Sequence, residues 1–140
     1  MNELDSIAHK IMTTLEAKNA AREQALAASR KVIQHCALTI RAAHRAEFDE
    51  AARLLAQAKE ATLQMAADLR AYPDLYFAGY VQDALKEFAE ANIVSALVQG
   101  QTIAGPDALG VEYAAYLNGL GEAAGELRRH ALDLIRQGRT

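Results

Sequence analysis

Between Met1 and Tyr72 the chain has neither a glycine nor a proline. An interior glycine costs a helix about 1 kcal/mol relative to alanine, and a proline about 3 kcal/mol. Half of this chain therefore lacks the residues that break helices, and long helices are the expectation. Leu4, Ile7, Ile11 and Leu15 mark an apolar stripe at helical spacing, and Leu26, Ile33, Cys36 or Ala37, and Ile40 continue it. The stretch Ala17 to Gln24 is polar and weakly periodic, so the helix is expected to bend or restart there. Residues 1–20 are then a frayed or separate N-terminal segment. The pattern breaks at His44–Asp49, which reads as a short helix–helix connection. Phe48, Leu55, Ala58, Thr62, Met65 and Leu69 follow on a second helix. Their mean spacing near 3.5 predicts packing almost antiparallel to the first.

The second half carries the punctuation. Tyr72-Pro73-Asp74 ends the second helix, because the residue before a proline disfavours helical backbone. A third helix is expected from near Asp74 to about Gln99, with Gly100 as its C-cap. Gln101–Gly110 is the clear loop, with Pro106-Asp107 opening a turn into a fourth helix from about Val111 to Arg136. Gln137–Thr140 reads as the end of that helix and the start of a turn. The fourth helix contains Gly119, Gly121 and Gly125, and the spacing predicts that they admit a neighbouring helix or a ligand backbone at close range. The fold class is all-α: one domain over residues 1–140, an antiparallel bundle of about four long helices. Alanine is frequent, Trp is absent and aromatics are 6%. Each alanine buries little area, so further burial in a homo-oligomer interface is expected.

The net charge of −3 does not suggest a generally basic nucleic-acid binder, which leaves local basic clusters. The one cysteine, Cys36, has no intrachain partner. It reads as a small buried apolar side chain in a protein of a reducing cytoplasm. The N-terminus does not read as a signal peptide, and no run of 18 apolar residues is available to span a membrane.

The candidate chemistry lies in acids. Asp83, Glu87 and Glu90 fall at i, i+4 and i+7, on one helix face. Like charges a turn apart cost ~0.2–0.5 kcal/mol per pair, so a divalent cation, a basic partner or solvation must compensate. Glu122 and Glu126 form a second pair on the fourth helix. If the two helices face each other, Glu87, Glu90, Glu122 and Glu126 offer four oxygen ligands for a hard cation such as Mg²⁺. Such an ion orients a water for in-line displacement at phosphorus. The bland alternative is a solvated helix face. Glu126 and His130 do not give the repeated Glu-x-x-His of a di-iron bundle, so His130 reads as a partly exposed helix residue.

Arg22, Arg30, Lys31, Arg41, His44 and Arg45 cluster on the first helix, with Arg30, Arg41 and Arg45 roughly on one face. They read either as phosphate contacts or as a solvent face paired with Glu. Tyr72, Tyr76, Tyr80, Tyr113 and Tyr116 flank the acidic helices and read as packing residues with surface hydroxyls. No nucleophile arrangement and no P-loop is present.

Taken together, these segments resemble the translin family. Arg22-Glu23-Gln24-Ala25-Leu26-Ala27-Ala28-Ser29-Arg30 and Ile40-Arg41-Ala42-Ala43-His44-Arg45 resemble its N-terminal helix. Glu87-Phe88-Ala89-Glu90-Ala91 is similar to the Glu-aromatic-x-Glu-Ala motif of the catalytic Trax subunit. Leu109-Gly110-Val111, with the run from Tyr116 to Arg129, resembles the other family signature. The resemblance implies a curved all-helical protomer, assembly up to an octameric shell, and a Mg²⁺-dependent endoribonuclease site, with Mn²⁺ as a substitute. By motif position Glu87, Glu90 and Glu126 match catalytic acids, and Glu122 stands where the family usually has Asp. Arg30, Arg41, Arg45 and Arg129 are the expected RNA contacts. The family usually continues with another helical hairpin after the Leu-Ile-Arg stretch, where this sequence ends.

The leading expectation is thus a Trax-like endoribonuclease acting on single-stranded or structured RNA. Two alternatives stand beside it. One is a non-catalytic nucleic-acid-binding oligomer. The other is an all-α nucleoside triphosphate pyrophosphohydrolase, which also uses helix-borne acid pairs.

Overall fold

The computed structural model describes residues 2–138. Its helices are α1 (Glu3–His44), α2 (Phe48–Asp68), α3 (Pro73–Tyr76), α4 (Gly79–Val98), α5 (Pro106–Leu109) and α6 (Tyr113–Arg136). There is no strand among the described residues. The expected all-α bundle is present, with four long helices and two single turns. No described helix is long and apolar enough to cross a membrane.

The breaker-free stretch behaves as its composition demands. α1 is a single helix that runs on through Ala17–Gln24, with no restart there. Asn2 caps it, its side chain accepting from the Asp5 N–H at 2.8 Å. The C-terminus closes without glycine. Ala46 takes a left-handed conformation (φ 59°), so that the Ala46 N–H reaches the Ala43 carbonyl and the Glu47 N–H reaches the Ala42 carbonyl. That turn sends α2 back along α1. Gly100 (φ 70°) closes α4 in the same way, through the Gln101 N–H to the Ala96 carbonyl.

α1 packs against α2 and α4, and α4 packs against α6. The buried α1 seam is Ala25, Ser29, Val32, Cys36, Thr39, Ile40 and Ala43. Cys36 and Ile40 are buried as expected, whereas Val32 is buried in place of Ile33, which is exposed, and small residues fill much of the contact face. A second correction concerns Leu4, Ile7, Ile11 and Leu15, which are all exposed, with Leu4 at 71%. No second described element lies over that stripe, although Lys18 pairs with Asp74 at the start of α3. On α2, Ala58, Thr62 and Met65 are buried as expected, as is Leu69 just beyond its end; Leu55 packs partly buried on the same core, and Leu54 is buried in a second cluster with Ala42, Ala43 and Ala51.

The expected third helix is divided. Pro73 opens the short α3, and α4 begins at Gly79. α4 is the centre of the bundle, burying Val81, Leu85, Phe88, Ile93 and Val94 among others. Pro106-Asp107 opens the short α5, and α6 starts at Tyr113 rather than Val111. At the C-terminus α6 ends at Arg136 and Gly138 has φ 72°. Arg139 and Thr140, the rest of the expected turn, lie outside the described residues.

Candidate active site between two acid-bearing helices

α4 and α6 meet at the first acid motif, and a glycine lets them. A Cβ built on Gly119 would lie 2.8 Å from the Lys86 carbonyl oxygen, 2.9 Å from the Ala89 Cβ and 3.1 Å from the Glu90 nitrogen. Two of these are backbone atoms, so no side chain can be accommodated without moving a helix. Ala115 and Ala123, one turn to either side, complete a seam of small buried residues. Close approach of a neighbouring helix holds for Gly119 alone. A Cβ on Gly121 or Gly125 would meet nothing within 4 Å. These two instead line an open hollow of about 560 Å³ with Asp83, Lys86, Asn118 and Glu122. Their missing side chains leave the backbone of α6 bare beside Glu122.

The four predicted acids sit around this seam in different surroundings. Glu90 is 7% exposed and is the only charged residue buried among those described. Its carboxyl is pushed up to about 7, first by burial, then by the charge of Glu87 and a hydrogen bond with it, then by the charges of Glu122 and Glu126. Glu87 and Glu90 thus touch, and the α6 pair lies within their field. Lys86 stands between the helices, with its Nζ 3.7 Å from Glu87 and 3.8 Å from Glu122. Asp83, at the outer end of the row, is exposed beside the same lysine. From beneath, Cys36 on α1 faces the same group. Its thiol is driven well up by burial, and the Glu87 and Glu90 charges add to this. It is the small buried side chain the sequence predicted.

Glu126 is held by a residue the sequence did not single out for that purpose. His44, the last residue of α1, lies with its Nε2 2.9 Å from Glu126 Oε1. Its ring stacks on His130 with centroids 4.4 Å apart and planes 21° apart. His130 is therefore part of a packed imidazole pair rather than a bystander on the helix surface. Arg129 approaches the other Glu126 oxygen, Oε2, at 3.6 Å. No spacing rule could have found His44, which is 82 residues from Glu126.

The remaining predicted RNA contacts are exposed on or just after α1. Arg30 and Arg41 face solvent, and Arg45 pairs with Glu47 through its Nε at 3.1 Å. The tyrosines depart from expectation at one point: the Tyr80 hydroxyl is buried and has no hydrogen-bond partner among the described residues. Tyr116 donates to the Ala104 carbonyl at 2.8 Å and ties the loop to α6.

The donor set is all oxygen, and a buried carboxyl that retains a proton near neutrality is where a hard cation would displace that proton. In that respect the residues fit Mg²⁺. As they stand, no three His, Cys, Asp or Glu side chains among the described residues are gathered as an ion site.

No family model matches the sequence, and no curated protein does either. Solved structures do match. The crystal structure of AfC3PO, a translin/Trax complex, gives a TM-score of 0.83 at 34% identity, covering 94% of this chain and 67% of that one. The chain belongs to the translin family. The structure of AfC3PO with duplex RNA gives a TM-score of 0.80, again at 34% identity and the same coverage. The crystal structure of apo-NeC3PO gives a TM-score of 0.82 over 99% of this chain and 72% of that one, and at 20% identity it is a likeness of fold. In translin-family terms the acid motifs on α4 and α6 lie on facing helices, joined at Gly119.

Proposed function

We propose that this translin-family chain binds RNA as a subunit of a homo-oligomer, up to an octamer, and cleaves it with Mg²⁺ at the carboxylates between α4 and α6. The observation that carries the reading is Glu90, a buried carboxyl whose proton is held by burial and by Glu87, Glu122 and Glu126. A structural helix face has no use for such a residue, whereas a cation site does. Glu87, Glu90, Glu122 and Glu126 would hold the ion, which when bound supplies positive charge against the scissile phosphate. Gly121 and Gly125 leave room for a sugar-phosphate backbone beside Glu122. Arg30, Arg41, Arg45 and Arg129 would contact phosphates, which positions RNA without reading its sequence. The relative AfC3PO has been solved with duplex RNA, which supports an RNA ligand. The exposed Leu4, Ile7, Ile11 and Leu15 stripe supports burial against further subunits.

The test uses labelled single-stranded RNA, purified protein and Mg²⁺. The Glu87→Gln/Glu90→Gln double variant should lose cleavage to background while keeping its helical circular dichroism. Cleavage at the wild-type rate would refute the assignment. A second reading, RNA binding without cleavage, is favoured by Lys86, which already neutralises Glu87 and Glu122 in part. It requires binding that weakens steeply with salt and no cleavage with either Mg²⁺ or Mn²⁺.

A further inference from the structure

His44 is presented to the site from a fixed support. Ala42 and Ala43, immediately before it, are fully buried and pack with Ala51 and Leu54 of α2. The turn that follows is pinned by the Ala46 and Glu47 N–H bonds to the Ala43 and Ala42 carbonyls. On the opposite side, Glu126 and His130 stand one turn apart on α6 and bracket the imidazole, one by hydrogen bond and the other by stacking. A carboxylate only accepts, so Nε2 must carry the hydrogen. His44 Nδ1 is buried with no partner among the described residues, where an N–H would be costlier to leave unmet than a lone pair. The surroundings thus select the Nε2–H tautomer, the form able to donate to Glu126.

We infer that His44 is a positioning residue for the Glu126 carboxylate, holding it on α6 beside the α4 acids, where a divalent cation would bind. The inference rests on the cation reading given above. The Glu126 side chain is 19% exposed on a helix that fully buries only Ala115, Gly119 and Ala123, so packing leaves it some rotational freedom. The hydrogen bond from His44 Nε2 to Oε1 removes that freedom before an ion arrives. Oε2 faces only the exposed Arg129, at 3.6 Å, so His44 makes the closer of the two contacts. Partners of this kind around metal-binding carboxylates typically change metal affinity 10–100-fold when removed.

The experiment compares wild type with His44→Phe, which keeps a stacking ring and loses the donor, and His44→Gln, which restores an N–H near the same place. Mn²⁺ affinity is measured by electron paramagnetic resonance of the free ion, and the melting temperature is measured on metal-free protein. The expected result is Mn²⁺ binding weakened about 10-fold or more in His44→Phe. His44→Gln should recover much of it, and all three proteins should melt within a few degrees of one another. His44→Phe binding Mn²⁺ as tightly as wild type would overturn the positioning role alone, and so would a His44→Gln no better than His44→Phe. Wild type and Glu87→Gln/Glu90→Gln binding Mn²⁺ equally would overturn the cation reading, and this inference with it.

Discussion

α4 and α6 each carry a pair of acids into one site, and they do so by opposite means. α4 lies in the core, and its Glu87 and Glu90 are placed by the packing of Phe88, Leu85 and Ala91 around them. α6 is mostly solvent-exposed and touches α4 through a narrow seam of small residues. Its acids are placed by tethers: Glu126 by His44 and Arg129, Glu122 by Lys86. A buried helix fixes a carboxylate firmly but makes its charge expensive, which is why Glu90 holds its proton to about pH 7. An exposed helix keeps its carboxylates nearer water but must fix them through partners. A site that needs both rigidity and negative charge draws one pair from each.

The largest effect that would sharpen this contrast is at the seam. Gly119→Ala places a methyl group 2.8 Å from the Lys86 carbonyl and should cost about 1–3 kcal/mol in urea unfolding, because two helices must separate. A neutral result would mean that α6 is not seated on α4 as described.

Next in size is the charge on the buried side. Glu90 has a folded-state pKa near 7 against 4.5 for the free group, so the folded chain binds more protons than the unfolded one between those values. Stability measured without divalent ions should therefore fall as pH rises from about 4.5 to 7 and then level off. Glu90→Gln should flatten that decline and raise stability at pH 8 by roughly 1–2 kcal/mol. An unchanged slope would show that Glu90 is not shielded from water.

The smallest effect has the opposite sign to the first. Gly125→Ala, with nothing within 4 Å of its Cβ, should stabilise α6 by up to about 1 kcal/mol while impairing RNA binding by filling the hollow. A gain in stability with unimpaired binding would remove Gly125 from the binding surface.

How far the sequence foretold this structure follows the same division. The helices of the second half were legible because glycine and proline punctuate them, and the left-handed Gly100 stands where the pattern placed a cap. The four acids were legible because spacing on a single helix is a local property. What spacing cannot supply is the partner. Leu4, Ile7, Ile11 and Leu15 mark an apolar face, and the periodicity says nothing about what covers it. In α1 the buried Cys36 was legible, but Ala25, Ser29 and Val32 beside it were hidden because hydropathy ranks Ile33 above them, although small residues make the closest contacts. Gly119, Gly121 and Gly125 look equivalent in sequence, and only the position of α4 separates the first from the others. His44 read as one more member of a basic cluster because its link to Glu126 joins the end of one helix to the middle of another.

The unbroken length of α1 has one more consequence. Its inner half is clamped by two neighbours, whereas its outer turns stand in water with little but main-chain hydrogen bonds to hold them. Starting a helix is the costly step and lengthening it is cheap, so the clamped half acts as a seed from which the outer turns grow. In an isolated protomer, warming should undo that growth gradually from the outer turns inward, well before the bundle gives way in a single cooperative step.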